Sequence, residues 1–247
     1  MKYSEEKYHR IKIHENVAQG KNIWRYMDIK KFKKLISSNK LWLSRADKLG
    51  DDYEGASSNT EIKIREERWK HPEHRKKLKN GSELRPLAYF ISCWTMNNPE
   101  SNALWKIYAP KYGIAIESNV ENLATCFTKK PIDFFSRYEP IIGSVTYEKR
   151  NEISSNLYFN PTERDFFLRK LKAFKYEKEI RLIMTSHQTI QGEIPEAKIE
   201  EDVNLDKLIN RIYIYNASMK DNLGLFLKKN NLSKEIKVPF FRQKPYF

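Results

Sequence analysis

Two acidic residues and an arginine alternate near position 180 of the sequence. If they belong to a strand, Glu177, Glu179 and Arg181 share one face, and the two carboxylates lie ~6–7 Å apart. A carboxylate in that setting could stabilise positive charge developing on a sugar carbon, or accept a hydroxyl proton, while Arg181 keeps it ionised. The alternative is a salt-bridge cluster on the strand face, opposite Lys170 or Lys172.

The segment 85–116 is the second candidate, because two strand-like apolar runs bracket an insert rich in polar and aromatic residues. Its candidate binding residues are Ser92, Trp94, Glu100, Ser101, Trp105 and Tyr108. The three aromatic side chains could form a stacking wall for a flat ring such as nicotinamide, adenine or another base. The alternative, ordinary core packing, applies to Trp105 above all.

Two kinds of catalytic site find less support. The five histidines, at positions 9, 14, 71, 74 and 187, stand apart from the insert, and its two serines lack a nucleophile-elbow pattern. A Ser-His-acid hydrolase is therefore disfavoured. The acidic loop 44–55 could instead hold a divalent cation through Asp47, Asp51, Asp52 and Glu54. Arg45 in the same loop weakens such a site, and Asp51-Asp52 also suits a helix-capping turn.

Length and composition predict one domain spanning 1–247, with an N-terminal extension at 1–20 and a helical insertion at 56–84. Hydrophobic residues make up 40% and aromatic residues 13% of the 247 positions, which suffices for a core. The two cysteines form no CxxC pair, and no apolar run approaches the ~18 residues of a membrane span. We therefore expect a soluble, cytoplasmic protein.

Charge points towards a polyanionic partner. The 46 Lys and Arg against 32 Asp and Glu leave a formal charge of +14, which would attract DNA or RNA and make binding depend on salt. The alternative is a lysine-rich, soluble surface without a specific partner.

The candidate site residues lie on or between strands and helices that hydrophobic periodicity predicts. The strands are expected at 23–26, 41–43, 112–116, 143–147, 176–184, 211–215 and 236–238. The helices are expected at 29–36 after an Asp28 cap, 61–79, 120–127, 162–174, 205–209 and 221–229. Because strands and helices do not alternate regularly, the pattern favours an α+β domain that has a mixed or mostly antiparallel sheet with flanking helices.

Four separated blocks resemble a bacterial family of unknown function, the domain-of-unknown-function family numbered 2971. The likeness runs from about Ile23 to Val238, and the blocks are Trp24-Arg25-Tyr26, Leu41-Trp42-Leu43-Ser44-Arg45 with Asp52-Tyr53-Glu54-Gly55, Ser92-Cys93-Trp94 with Glu100-Ser101 and Leu104-Trp105-Lys106-Ile107-Tyr108, and Tyr176-Glu177-Lys178-Glu179-Ile180-Arg181. Since that family has no settled activity, the resemblance concerns the fold more than the function.

The chain is more distantly similar to the ADP-ribosyltransferase superfamily, which implies an ADP-ribosyltransferase-like fold with NAD as substrate. On that resemblance, Arg25 would hold the NAD phosphate or ribose, and the aromatic insert would stack the nicotinamide. Glu179, or Glu177, would stabilise the oxocarbenium-like ribose as nicotinamide leaves. The remaining binding residues would be Tyr26, Arg45 and Arg181.

Three functions follow as hypotheses. The first is a transferase that moves ADP-ribose from NAD onto a macromolecule, possibly nucleic acid, in a toxin or phage-defence role with a possible antitoxin or defence partner protein. The second is a metal-dependent nucleic-acid-processing enzyme that uses Asp47, Asp51 and Asp52. The third is a non-catalytic nucleic-acid-binding module. The first requires the late acids, the tryptophan-bearing segment and Arg25 to face one cleft.

Overall fold

Strands and helices follow one another irregularly along the chain. The structure, a computed structural model, describes residues 11–18, 20–51, 54–57, 59–68, 70–129, 139–149, 163–185 and 193–242. The strands are β1 (Lys12–Ile13), β2 (Asn22–Met27), β3 (Lys40–Arg45), β4 (Tyr89–Thr95), β5 (Ile114–Asn119), β6 (Ile141–Ser144), β7 (Thr146–Glu148), β8 (Arg169–Leu171), β9 (Glu179–Thr185), β10 (Lys198–Asp202), β11 (Arg211–Ile214) and β12 (Glu235–Lys237). The α-helices are α1 (Ile29–Ser38), α2 (Asn59–Arg68), α3 (Pro72–Ala88), α4 (Asn102–Tyr108), α5 (Val120–Thr125), α6 (Leu205–Leu208) and α7 (Lys220–Lys229).

One large sheet organises the described residues. Its strand order is β1-β6-β9-β4-β2-β5-β11-β12, and β3 branches from β4 to carry β10. Within it only the β1–β6 and β11–β12 pairs are parallel. A second sheet consists of β7 and β8 alone, which run parallel. The predicted α+β class with a mostly antiparallel sheet is confirmed.

Both faces of the large sheet are covered, so β9 is buried along its whole length. Alternate residues of β4 and β9 point to opposite faces. Phe90 and Leu182 belong to the main core cluster, while Ile91 and Ile183 belong to a second cluster on the other face. The sheet is therefore the middle layer of the molecule, which explains why a strand that carries Glu179 and Arg181 lies in the interior.

The β2-α1-β3 unit forms as predicted, because local signals agree. Asp28 caps α1, and its Oδ1 accepts a hydrogen bond from the backbone N–H of Lys31 at 2.8 Å. Phe32, Leu35 and Ile36 form the buried stripe of the helix. This unit fixes the positions of Arg25 on β2 and of the residues on β3.

The predicted helix at 162–174 is wrong; Thr162 itself lies outside the described residues. Residues 163–168 and 172–177 form two short 3-10 helices, and β8 lies between them. Phe167 is fully buried against Tyr89, with ring centroids 4.7 Å apart. Lys170 is drawn inwards by two carboxylates. These tertiary contacts override the helical periodicity.

Two charged segments also differ from their predictions. The helix expected at 61–79 is divided into α2 and α3, and the second helix begins at Pro72, which suits the first position of a helix. The strand β10 was not predicted, because its sequence Lys-Ile-Glu-Glu-Asp is mostly charged. It pairs only with β3, so it is an edge strand, where charge is common. Of the helices described, none has the length and apolar character needed to cross a membrane.

Candidate active site

A cleft of about 250 Å³ opens beside β2, β3 and β4. Residues from distant parts of the sequence line it: Arg25, Trp42, Trp94, Tyr108, Glu177 and Glu179. The late acids, the tryptophan-bearing segment and the early arginine therefore surround one space. The fold brings them together because β2, β4 and β9 are consecutive strands of the sheet, although they are far apart in sequence.

The two acids meet through a turn and not along a strand. Glu177 ends a 3-10 helix, Lys178 adopts the left-handed conformation with φ of 44°, and β9 begins only at Glu179. The expected alternation of Glu177 with Glu179 on one strand face is therefore wrong. A non-glycine residue in this conformation is uncommon. Backbone contacts hold the turn: the N–H of Met96 donates to the Lys178 carbonyl at 2.9 Å, and the Thr95 hydroxyl donates to the Glu177 carbonyl.

Lys170 lies between the two acids. Its Nζ is 2.6 Å from Oε2 of Glu177 and 3.4 Å from Oε1 of Glu179. The hydroxyl of Tyr108 donates to the other oxygen of Glu177 at 2.5 Å. In the sequence analysis Lys170 appeared only in the alternative interpretation, in which the acids form a structural salt-bridge cluster and not a functional site. In the structure the ion pairs and the cleft involve the same residues.

Arg181 supports Glu179 from the interior and does not line the cleft. Its Nε donates to Oε2 of Glu179 at 2.7 Å, and its two Nη atoms reach the carboxylate of Glu54 at 2.5 and 3.0 Å. Nη1 also donates to the carbonyl of Phe167 at 2.8 Å. Arg181 is 1% exposed. It acts as the buried counter-charge of two carboxylates, and the sequence had linked Glu54 only to a metal site.

Electrostatics set the protonation of the acids. Burial works against ionisation of Glu179, but the charges of Arg181 and Lys170 outweigh it, and the pKa of Glu179 is lower than usual. For Glu54 burial prevails over the attraction of Arg181, and its pKa is raised. Burial also lowers the pKa of Arg25 to about 10, so its guanidinium remains charged at neutral pH. The cleft thus contains a fixed anion and a fixed cation.

Arg25 is buried yet incompletely bonded. Its guanidinium lies 4.4 Å from the centroid of the Trp42 ring, and Nη2 donates to the Trp42 carbonyl at 3.3 Å. Within the described part of the chain, its Nη1 and the indole N–H of Trp24 have no hydrogen-bond partner. Buried donors are almost always paired. Arg25 and Trp24 both line the cleft, but these two nitrogen atoms are themselves covered by protein.

Of the predicted stacking residues, Trp94 and Tyr108 line the cleft, and Trp105 does not. Trp94 donates from Nε1 to the hydroxyl of the buried Ser92 at 3.1 Å, so Ser92 fixes that ring. Trp105 is fully buried in a small core cluster, and its Nε1 donates to the carbonyl of Pro99 at 2.6 Å. The stacking role suggested for Trp105 does not fit this position.

Tyr26 reaches the cleft, and its ring meets that of Trp105 edge-on at 5.0 Å. Trp24 and Trp42 also line the cleft, although the sequence did not single them out as candidate binding residues. A signal was present, because Trp24 adjoins Arg25 and Trp42 lies on the strand that follows α1.

Three further predicted residues have structural positions outside the cleft. Glu100 accepts the backbone N–H groups of Phe240 and Phe241 at 2.8 and 3.1 Å. Ser101 stands at the start of α4 without a side-chain cap bond. Arg45 donates to Asp47 at 2.7 Å and to the carbonyl of Pro195. Glu100 and Arg45 therefore have structural contacts, and the substrate-binding roles suggested for these three residues stay predictions.

The acidic loop is occupied by ion pairs. Asp47 contacts Arg45 and also Lys48 at 3.1 Å, and Glu54 contacts Arg181. Among the residues that the structure describes, no three of His, Cys, Asp and Glu are placed to hold a metal ion. Asp52 lies outside those residues. The metal-dependent alternative therefore gains no support from the geometry.

Fold and site together define an α+β chain with an acidic and aromatic cleft beside a mostly antiparallel sheet. No protein-family model and no curated protein matches the chain, so the likeness to the family numbered 2971 stays a prediction. Among solved structures the chain is similar to Thermus sp. 2.9 DarT. The complex with NAD+ has a TM-score of 0.40 and 10% identity, over 92% of this chain and 99% of that one. The complex with ADP-ribosylated ssDNA has a TM-score of 0.39 and 13% identity, over 95% and 100%. At these values the similarity carries no argument about function.

Proposed function

We propose that the chain is an NAD-dependent ADP-ribosyltransferase-like enzyme that acts on a macromolecule, with nucleic acid as the acceptor. One observation carries the proposal. A carboxylate held ionised by two cations, Glu179, shares a small aromatic cleft with a buried guanidinium that has an unpaired donor, Arg25. In such a cleft Arg25 can bind an anionic group of the substrate, while Glu179 can stabilise a cation that forms during the reaction.

The ligand side of the proposal depends on Arg25 and Tyr108. The guanidinium of Arg25, a residue that lines the cleft, suits a phosphate or a ribose of NAD. Tyr108, which lines the cleft and is 44% exposed, supplies an aromatic surface for the nicotinamide ring. The volume of about 250 Å³ is slightly below that of sites for whole drug-sized ligands. It suits the nicotinamide and its ribose, with the adenosine half extending towards solvent.

The chemistry assigned to the cleft is a substitution at C1′ of the nicotinamide ribose. The bond from C1′ to the ring nitrogen breaks, and its electron pair leaves with neutral nicotinamide. Glu179 stabilises the positive charge left on the ribose, as a carboxylate with a low pKa can. An oxygen or nitrogen of the acceptor then bonds to C1′ and loses its proton. Glu177 is the nearby carboxylate to receive that proton, and Tyr108 links it to the surface.

We assign acceptor binding to exposed residues at the cleft and beside the acidic turn, of which Tyr108 lines the cleft. Tyr108 and Tyr176 are 44% and 46% exposed. Lys175 and Lys178, also exposed, flank Tyr176 in the sequence. Exposed aromatic rings beside lysines bind unpaired bases by stacking and phosphates by charge. The formal charge of +14 would concentrate any such strand near the protein.

The test is release of nicotinamide from NAD, together with transfer of labelled ADP-ribose to DNA or RNA oligonucleotides. Glu179→Gln should lower turnover at least ~100-fold, the order expected for loss of an electrostatic stabiliser of the transition state. Its melting temperature should fall, because Glu179 is a buried partner of Arg181 and Lys170, so turnover is compared at a temperature at which both proteins remain folded. Glu235→Gln is the matched control, because that acid lies in an exposed pair with Arg211. Absence of turnover with every acceptor, or full turnover by Glu179→Gln, would refute the proposal.

A non-catalytic binding module is the second candidate, favoured by the net charge and the exposed tyrosines. Binding of an oligonucleotide should then weaken steeply with salt and survive substitution of both cleft acids.

A toxin role predicts that expression of the chain arrests growth and that Glu179→Gln relieves the arrest. A partner protein that neutralises the chain would have to restore growth with the wild type.

A further inference from the structure

The two-stranded sheet of β7 and β8 stands apart from the large sheet but contacts the acidic turn. Tyr147 on β7 and Lys170 on β8 are direct register partners. The hydroxyl of Tyr147 accepts the backbone N–H of Glu179 at 2.7 Å, and Lys170 contacts the side chains of both Glu177 and Glu179. One small sheet therefore reaches both the backbone and the carboxylates of the turn.

The ion pairs around Lys170 are buried. The side chains of Lys170, Glu177 and Glu179 are 9%, 3% and 9% exposed. Two carboxylates that share one site repel each other, and burial adds to the cost of their charges. Arg181 compensates Glu179 from the far side but has no ion pair with Glu177 among the described contacts. Lys170 is thus the cation that both acids share.

We propose that Lys170 is a positioning residue, which keeps Glu177 and Glu179 together as two carboxylates directed at the cleft. The β7–β8 sheet holds Lys170 in place for this purpose. The ring of Phe174 lies 4.5 Å from its Nζ and closes the site on the other side. The effect on turnover rests on the proposed function, whereas the effect on the acids does not.

Removal of Lys170 would change the charge balance of the whole cluster. Glu54, Arg181, Glu179, Lys170 and Glu177 alternate in sign, so three acids face two cations. Without the lysine, Glu179 would lose one of the two cations that oppose the effect of burial, and its pKa would rise. The other titratable groups that act on the acids and the lysine are Cys93, Tyr108, Tyr147 and Tyr176.

The first experiment compares the pH dependence of nicotinamide release by the wild type, Lys170→Met and Lys170→Arg. Lys170→Met should move the acidic limb of kcat/KM upwards by ~1–3 pH units, the usual effect of one close opposite charge. Lys170→Arg should restore the limb. Lys172→Met is the matched control, since Lys172 is exposed on the next 3-10 helix. An equal loss of activity at every pH would indicate a merely structural role and overturn the proposal.

The second experiment needs no NAD. Carbon-13 NMR of labelled glutamate side chains follows the titration of Glu179, assigned through Glu179→Gln. Its midpoint should rise in Lys170→Met and not in Lys172→Met. An unchanged midpoint overturns the inference, while a raised midpoint without turnover of NAD refutes only the proposed function.

The wild type supplies a measurement that no folding defect can affect. Nitrogen-15 NMR should show Lys170 titrating above ~10.4, the ordinary value for lysine. Burial lowers the pKa of Lys170, but the charges of Glu179 and Glu177 outweigh it. A titration at or below the ordinary value would overturn the proposal even if Lys170→Met failed to fold.

Discussion

Arg181→Met should strongly destabilise the fold. The guanidinium is fully enclosed and joins Glu54, Glu179 and the carbonyl of Phe167 through hydrogen bonds of 2.5 to 3.0 Å. Methionine fills much of the same volume but carries no charge. The substitution therefore leaves two buried carboxylates without their shared counter-charge, and only Lys170 remains to compensate Glu179.

Breaking a buried ion pair by removing one partner costs about 3–5 kcal/mol. For a chain of this length each kcal/mol shifts the melting temperature by ~2–4 °C. Arg181→Met should therefore lower the melting temperature by about 6–20 °C at neutral pH. Adding Glu54→Gln and Glu179→Gln should recover part of the loss, because the uncompensated charges disappear.

The loss should also depend on pH. In the wild type the pKa of Glu179 is lowered, so its charge stabilises the fold at neutral pH and that contribution falls as pH drops through the folded value. In Arg181→Met the pKa of Glu54, already raised by burial, should rise further, and that of Glu179 should rise above its unfolded value of ~4.3. The penalty is then full above the raised values and disappears below the unfolded one. The difference between the two proteins should narrow from about pH 7 to about pH 4.

Urea denaturation at several pH values measures this difference. The control is Arg211→Met, because Arg211 also contacts two glutamates but its side chain is 45% exposed. That variant should lose much less stability, since solvent screens the pair and Glu117 keeps a hydrogen bond from Tyr213 at 3.1 Å. Equal losses of stability in the two variants, or a loss for Arg181→Met that does not vary with pH, would show that Arg181 is not the buried counter-charge of Glu54 and Glu179.

Three smaller predictions concern other parts of the chain. Asp28→Ala should cost ~1 kcal/mol in denaturation, because α1 loses its cap; an unchanged midpoint would argue against the cap. Gly55→Ala should cost ~1–3 kcal/mol, since φ is 70° and the new Cβ would clash with the buried ring of Phe167; equal stability would mean that the ring moves. Burial and the charge of Asp202 raise the pKa of Glu201 to about 7, so stability should fall as pH rises from ~4.3 to 7, and Glu201→Gln should remove that slope in melting curves.

Local signals predicted most of the elements that support the cleft. The strand at 23–26, the Asp28 cap and the helix after it are readable because capping and periodicity act within a few residues. The strand around residue 180 and the apolar runs that bracket the tryptophan segment are likewise confirmed. The wrong helix at 162–174 and the unpredicted β10 have one cause: their conformation is set by partners far away in the sequence.

The candidate site was only partly readable for the same reason. The sequence assigned core packing mainly to Trp105, but in the structure both tryptophans are buried, and only Trp94 also lines the cleft. The left-handed turn at Lys178, which connects the two acids, could not be predicted from the sequence, because the position is not a glycine.

Residue types and short-range patterns in the sequence determined the α+β class, the strand that carries Glu179 and Arg181, and the kind of chemistry these groups can perform. The tertiary structure decided which residues share a space. Arg25 lines the same cleft as the late acids, Trp105 does not line it, and Lys170 lies between Glu177 and Glu179. The physical reason is that strand order and burial are global properties, because a sheet pairs strands regardless of their separation and a buried charge must find whatever partner the fold supplies.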